Sequence, residues 1–198
     1  MAQPGRALGS GLRGRWFKSS RPDLKNDQHL GHLEEIRGVN LHMSDSKKKI
    51  YVGVIGAGHC TQKLRKLSAE VGEEIAKAGA ILVCGGLDGV MKGAAQGAKS
   101  EGGTTIGILP GTDKSEANEF IDYVVCSGFG EARNLIIIRT ADVVIALPGM
   151  FGTLSELGFA LKLKKPVVSL GSWDIDDKVI KAENAKEAVK LALKKVRQ

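Results

Sequence analysis

Aromatic residues are scarce in this 198-residue chain: Phe, Tyr and Trp make up 5%, with two Trp and two Tyr. A stacking platform for single-stranded nucleic acid needs successive aromatic side chains, and Trp16 and Trp173 fall in loops without partners for one. Cysteine is just as sparse. Cys60, Cys84 and Cys126 are odd in number and widely spaced, which builds neither a disulfide framework nor a CxxC metal pair. Two of them lie beside apolar runs and read as small buried hydrophobes; a reducing, cytoplasmic compartment is expected. No run of 18 apolar residues occurs, so no transmembrane helix and no membrane partner are expected. Residues 1–42 hold no apolar stretch of the length a secretory signal needs. Past Met43 there is one histidine, His59. With Cys60 it would need two further ligands to hold a metal, and none lies nearby in sequence. His59 therefore reads as a solvated loop side chain, and no metal site is expected.

Glycine, by contrast, is plentiful. The 26 glycines are roughly twice the usual share of about 7%, without the period of three that collagen requires. They suggest backbone that turns tightly or approaches a ligand closely. Hydrophobic residues at 42% and charged residues at 26% fit a globular chain. The net charge of +7 is a modest excess that suits an anionic small ligand. Nucleic-acid binding would need those charges gathered on one face and is not favoured.

The chain divides at Met43. Residues 1–42 are rich in Gly, Ser, Arg and Pro, keep no helical or alternating period, and read as a dispensable, unstructured N-terminal extension. Residues 43–198 read as a nucleotide-binding domain of alternating strands and helices. Ile50–Ile55 is a buried parallel strand. Thr61 caps a helix with Leu64, Leu67, Val71, Ile75 and Ala78 on one face, stopped at Gly79. Strands follow at Ala80–Cys84, Thr104–Leu109, Tyr123–Cys126, Ala141–Leu147 and Pro166–Leu170. Helices are expected at Val90–Ser100, Glu131–Thr140, Thr153–Lys164 and Asn184–Val196, with Leu135–Ile138 buried all round. That alternation predicts an α/β fold: a Rossmann-like, doubly wound parallel sheet in three layers and one domain.

Ligands of open parallel sheets sit at the carboxyl ends of the strands, where helix N-termini present free N–H groups. Four glycine-bearing turns fall there: Gly56-Ala57-Gly58, Gly85-Gly86-Leu87-Asp88-Gly89, Pro110-Gly111-Thr112, and Pro148-Gly149-Met150-Phe151-Gly152-Thr153. The first begins like a dinucleotide fingerprint but has Thr61 where the third glycine belongs, and no acid ends the second strand. A dinucleotide and a Walker-type triphosphate site are both disfavoured. In the fourth turn Gly152 and Thr153 would open a helix facing an anion. Glu156, three residues after Thr153, fits a capping box as well as a catalytic carboxylate. Arg133, near the mouth of the same cleft, completes a pair suited to acid–base work and to stabilising an oxocarbenium ion.

PGMFGTLSE after TADVVIALPG, preceded by Arg133-Asn134 and by CGGLDGVMKGA at Cys84–Ala94, resembles the lysine-decarboxylase-like, or LONELY GUY (LOG), family. It also resembles molybdenum-cofactor carrier proteins and, more distantly, DNA-processing protein A. The LOG resemblance implies cleavage of the N-glycosidic bond of nucleoside 5′-monophosphates, with Arg133 and Glu156 catalytic and no cofactor required. It does not imply lysine decarboxylation. By the same resemblance Asn134, Pro148, Gly149, Met150, Gly152 and Thr153 would bind the phosphorylated ligand, and Gly56, Gly58, Gly85, Gly86 and Thr112, on the other glycine-bearing turns, are expected to line the same site. Three positions depart from the LOG pattern: Met150 replaces the second glycine, Asn134 a lysine, and Gly130 a methionine. These bring the chain closer to the carrier branch. The expectation is a protein that binds an AMP-like nucleotide or molybdopterin, with slow hydrolysis, carriage or sensing as its alternative outcomes, and a DNA-binding role less favoured. Apolar residues round nearly the whole circumference of Leu154–Leu163 point to a homodimer or higher homo-oligomer.

Overall fold

The computed structural model describes residues 48–197; residues 1–42 and Met43, read above as an extension and a domain start, lie outside them. Seven strands form one all-parallel sheet: β1 (Tyr51–Ile55), β2 (Ile81–Cys84), β3 (Thr104–Leu109), β4 (Tyr123–Cys126), β5 (Val143–Ala146), β6 (Val167–Ser169) and β7 (Ile180–Lys181). Their order is β4-β3-β2-β1-β5-β6-β7. Val52 of β1 pairs with Leu82 on one side and Val143 on the other. Because both faces are covered, the central strands are apolar at every position rather than alternating. Val52 and Val54 pack toward α1 (Gln62–Lys77), α2 (Val90–Ser100) and α5 (Ala185–Val196). Ile55, Val83 and Ile108 pack toward α3 (Arg133–Thr140) and α4 (Phe151–Lys162). The fold is therefore the expected Rossmann-like α/β arrangement of three layers.

Local chemistry explains the helix limits. The Thr61 hydroxyl accepts the Leu64 N–H at 3.3 Å and so caps α1, and Gly79 after it takes φ +70°, a conformation open to glycine. Asn184 caps α5 in the same way through the Glu187 N–H at 2.9 Å. Between α1 and α2 the backbones nearly touch. A Cβ on Gly72 would stand 1.9 Å from the Ala94 carbonyl oxygen, and one on Gly97 would stand 1.9 Å from that of Ala69.

Strand order reverses at β1. The chain winds outward from β1 through β2 and β3 to β4, then returns by α3 to place β5 on the other side of β1. A reversal of this kind leaves a crevice at the carboxyl ends of the two inner strands. The structure departs from the sequence reading in four places. β7, a two-residue strand paired through Val168 and Ile180, is too short to leave a periodic signal. α4 begins at Phe151, two residues before the expected start. The expected helix from Glu131 enters as a 3₁₀ turn, Gly130–Ala132, before α3, and only Ile137 and Ile138 of its apolar run are fully buried, with Leu135 and Ile136 half-buried. Cys84 is buried as expected, but Cys126 is exposed because β4 is the sheet edge.

Gly72→Ala tests the close helix contact. In an open helix interior that change stabilises by about 1 kcal/mol. Here the Ala94 carbonyl reverses the sign, and urea denaturation should show a loss of about 1–3 kcal/mol.

Candidate functional site

The crevice is a cleft of about 330 Å³ lined by the exits of β1 (Gly56, Gly58), β2 (Gly85) and β5 (Met150, Gly152) and by Arg133, Asn134, Thr153 and Glu156. A larger hollow of about 710 Å³ runs along α1 and α2, but its charged side chains are all exposed or half-buried. The cleft differs in holding charge in a dry place. Arg133 and Glu156 are each 7% exposed.

Backbone contacts brace the walls. The Ala57 N–H donates to the Pro148 carbonyl at 3.0 Å, and the Ala57 carbonyl accepts the Val90 N–H at 2.9 Å. One residue, through the two peptides that flank it, thus ties the exit of β1 to both the fourth turn and the start of α2. Gly89, at φ +66°, allows this: a Cβ there would lie 2.2 Å from the Ala57 oxygen. Gly85 makes room for the guanidinium, since a Cβ there would meet Arg133 Nη1 at 1.9 Å and Met91 Sδ at 2.5 Å.

Arg133 Nε and Nη1 are buried without a hydrogen-bond partner. Burial lowers the Arg133 pKa, opposed by the nearby Glu156 charge; guanidinium nevertheless stays charged in proteins. Burial pushes the Glu156 carboxyl up to about 8, with Arg133 pulling it down and Glu131 adding to the rise. No ion pair joins Arg133 to Glu156 among the described residues. Three helices bring their N-termini to this cleft, α2 at Gly89, α3 at Ala132 and α4 at Met150, and none carries a side-chain cap. Free N–H groups and a fixed positive charge together suit an anion. Cys84, beneath the floor, is held as a thiol: burial raises its pKa to about 11, so it offers no nucleophilic thiolate. Among the described residues no group of His, Cys, Asp and Glu could hold a metal ion, and no helix is long and apolar enough to cross a membrane.

The SLOG cluster4 family model matches residues 49–198. This chain belongs to the SLOG cluster4 family. A cytokinin riboside 5′-monophosphate phosphoribohydrolase of Mycobacterium tuberculosis is 34% identical over 120 residues, 56% of this chain and 64% of the enzyme. The molybdenum cofactor binding protein of Rippkaea orientalis superposes with a TM-score of 0.72 at 36% identity, over 77% of this chain and all of its own. The molybdenum cofactor carrier protein of Chlamydomonas reinhardtii gives 0.69 and 36%, over 75% and 99%. The LOG-like and carrier-like resemblance of the motifs thus stands.

Not every residue expected at the site of this SLOG cluster4 protein reaches the cleft. Gly56, Gly58, Gly85, Arg133, Asn134, Met150, Gly152, Thr153 and Glu156 line it. Gly86 does not: it backs onto Gly107, and its carbonyl accepts the Asn118 N–H at 2.9 Å. Thr112 is exposed, with its methyl against Gly128. Pro148 faces a separate hollow beside Thr61 and Leu64. Gly149 lies behind the turn, with the Thr153 hydroxyl 2.1 Å from where a Cβ would stand. Asn134 reaches the cleft, but its amide donates to the Ser155 hydroxyl at 3.0 Å. The capping box does not form, because Met150 is the N-cap of α4 and Thr153 its third residue. That leaves Glu156 without a cap to bond.

His59, set aside from sequence, lines the cleft together with Leu87, Met91 and Glu131. Met91 had a signal available, as the second residue of a helix that starts at a glycine turn. Trp173, read as partnerless, stacks on Phe151 with ring centroids 6.3 Å apart and planes at 30°. Its indole N–H donates to the Gly149 carbonyl at 2.9 Å. The two residues are 24 apart, beyond any local periodicity.

A pKa raised from 4.5 to about 8 by folding carries a stability consequence. The contribution is fully present below the unfolded value and is lost as pH rises through about 8. Melting temperature should therefore fall between pH 5 and pH 9, with a shallower fall in Glu156→Gln. Parallel curves for the two proteins would remove Glu156 as the cause.

Proposed function

We propose that this SLOG cluster4 protein binds a phosphorylated, nucleotide-type small molecule in the cleft, with the phosphate on the N-terminus of α4. The observation that carries this reading is the buried Arg133 guanidinium with two unpartnered nitrogens beside uncapped helix ends. A buried charge without a partner costs free energy, and an anionic ligand supplies what it lacks. The cleft volume of about 330 Å³ falls within the range of small-molecule sites. The mycobacterial relative acts on a riboside 5′-monophosphate, which supports the ligand class.

On the enzymatic reading Arg133 orients the ligand. Ionised Glu156 activates water or stabilises the positive charge that develops at ribose C1′ as the N-glycosidic bond breaks. That chemistry needs no cofactor. Because burial holds the carboxyl near 8, kcat/KM should rise from pH 6 to about pH 8. The second reading is carriage or sensing of a molybdopterin-type ligand without turnover. Asn134 favours it: where the LOG pattern has a lysine, this side chain is spent on Ser155 and adds no second cation. Chromatography of a nucleoside 5′-monophosphate panel separates the two. Base release by the wild type, reduced about 100-fold or more in both Arg133→Ala and Glu156→Gln, is the expected result for the enzyme. No release, with thermal stabilisation by nucleotide retained in Glu156→Gln, withdraws hydrolysis and leaves a binding protein.

The α3–α4 face supports a second copy of the chain as partner. Leu135, Ile136, Leu154 and Phe159 are only half-buried there, and Tyr123 and Val125 of the edge strand are 63% and 46% exposed. Light scattering should give a dimer or a larger homo-oligomer; a strict monomer ends that proposal.

A further inference from the structure

The peptide joining Gly149 to Met150 is held from outside the cleft. Its carbonyl accepts the Trp173 indole N–H at 2.9 Å. Neither Gly149 nor Trp173 lines the cleft, whereas Met150 and Gly152 on the same turn do. All described peptides are trans, and a trans peptide directs its C=O and N–H oppositely. A carbonyl turned outward to Trp173 therefore turns the Met150 N–H inward. The following three N–H groups, of Phe151, Gly152 and Thr153, open α4 and have no side-chain cap.

Little else would keep this peptide in that orientation. Gly149 has no side chain and rotates freely in ψ. Met150 is extended, at φ −99° and ψ −151°, and its side chain is 73% exposed, so packing does not anchor it. The preceding peptide has its own tie, Ala57 N–H to the Pro148 carbonyl at 3.0 Å. A flipped Gly149–Met150 peptide would set a carbonyl oxygen among the amides and repel an anion. Trp173 is itself held: Phe151, the first residue of α4, stacks on it. At 36% exposure the indole adds little to the core, so its contact with Gly149 is not an accident of core packing.

We propose that Trp173 is a positioning residue for phosphate recognition, holding the Gly149–Met150 peptide so that the Met150 N–H joins the anion cradle at the start of α4. The proposal rests on the phosphate reading of the cleft. It is tested by calorimetric titration of the full chain with AMP, adenosine and inorganic phosphate, in wild type, Trp173→Phe and Trp173→Leu. Trp173→Phe keeps a ring against Phe151 and removes only the donor. The expected result is AMP and phosphate binding weakened about tenfold in both variants, as for one well-placed hydrogen bond to a charged group. Adenosine binding and melting temperature should be unchanged. The ratio of AMP to adenosine affinity is the deciding readout, because general loosening of the fold lowers both together. An unchanged ratio in Trp173→Phe, whether by retained binding or by equal loss, overturns the role of Trp173 alone. A wild type that binds AMP no better than adenosine overturns the phosphate reading, and the proposal with it.

Discussion

Burying the Arg133 guanidinium without a hydrogen-bond partner for Nε or Nη1 is costly, of the order of several kcal/mol for an isolated ion. The walls of the cleft are shaped around it. Gly85 is a glycine because any side chain there would occupy the guanidinium's place. Glu156 shares the same dry volume, close enough for each charge to act on the other, yet without an ion pair. A closed pair would neutralise the site and leave nothing to attract a ligand. Kept apart, the two groups leave a cation without a counter-ion and a carboxyl whose pKa burial raises to about 8.

The sheet supplies the rest of that environment. Reversal of strand order at β1 brings the exits of β1, β2 and β5 together, and three uncapped helices start there. Elsewhere the helices close their own ends, as Thr61 does for α1 and Asn184 for α5. Helix starts without a side-chain cap at one place and with one at the others mark the cleft. Ala57, whose N–H donates to Pro148 and whose carbonyl accepts from Val90, makes the fourth turn and the start of α2 a single braced unit.

Much of the fold was legible because it rests on short-range signals. Apolar runs ended by glycines mark the strands. The Leu64–Ile75 face marks α1, although Ala78, read onto that face, is its exposed C-cap, and Asn184 marks the start of α5. The reading failed where the signal was short or ambiguous. β7 has two residues, and the start of α4 at Phe151 has no capping side chain to announce it. The TLSE tetrad looked like a capping box although Thr153 lies inside the helix. Cys126 looked buried because sequence shows a strand but not its place at the edge.

The sequence by itself determined which residue types stand at the strand exits: the glycine turns, Arg133, Thr153 and Glu156, and the LOG-like motif that contains them. These follow from local patterns, which fix element type and the face each side chain takes. Tertiary structure decided which of them meet. It sent Gly86, Thr112 and Pro148 away from the cleft, brought His59 and Met91 into it, and set Trp173 on a carbonyl 24 residues earlier. The physical reason is that a site is a property of distances between strands. Those distances depend on strand order and on where each chain segment turns back, and no periodicity along the sequence encodes them.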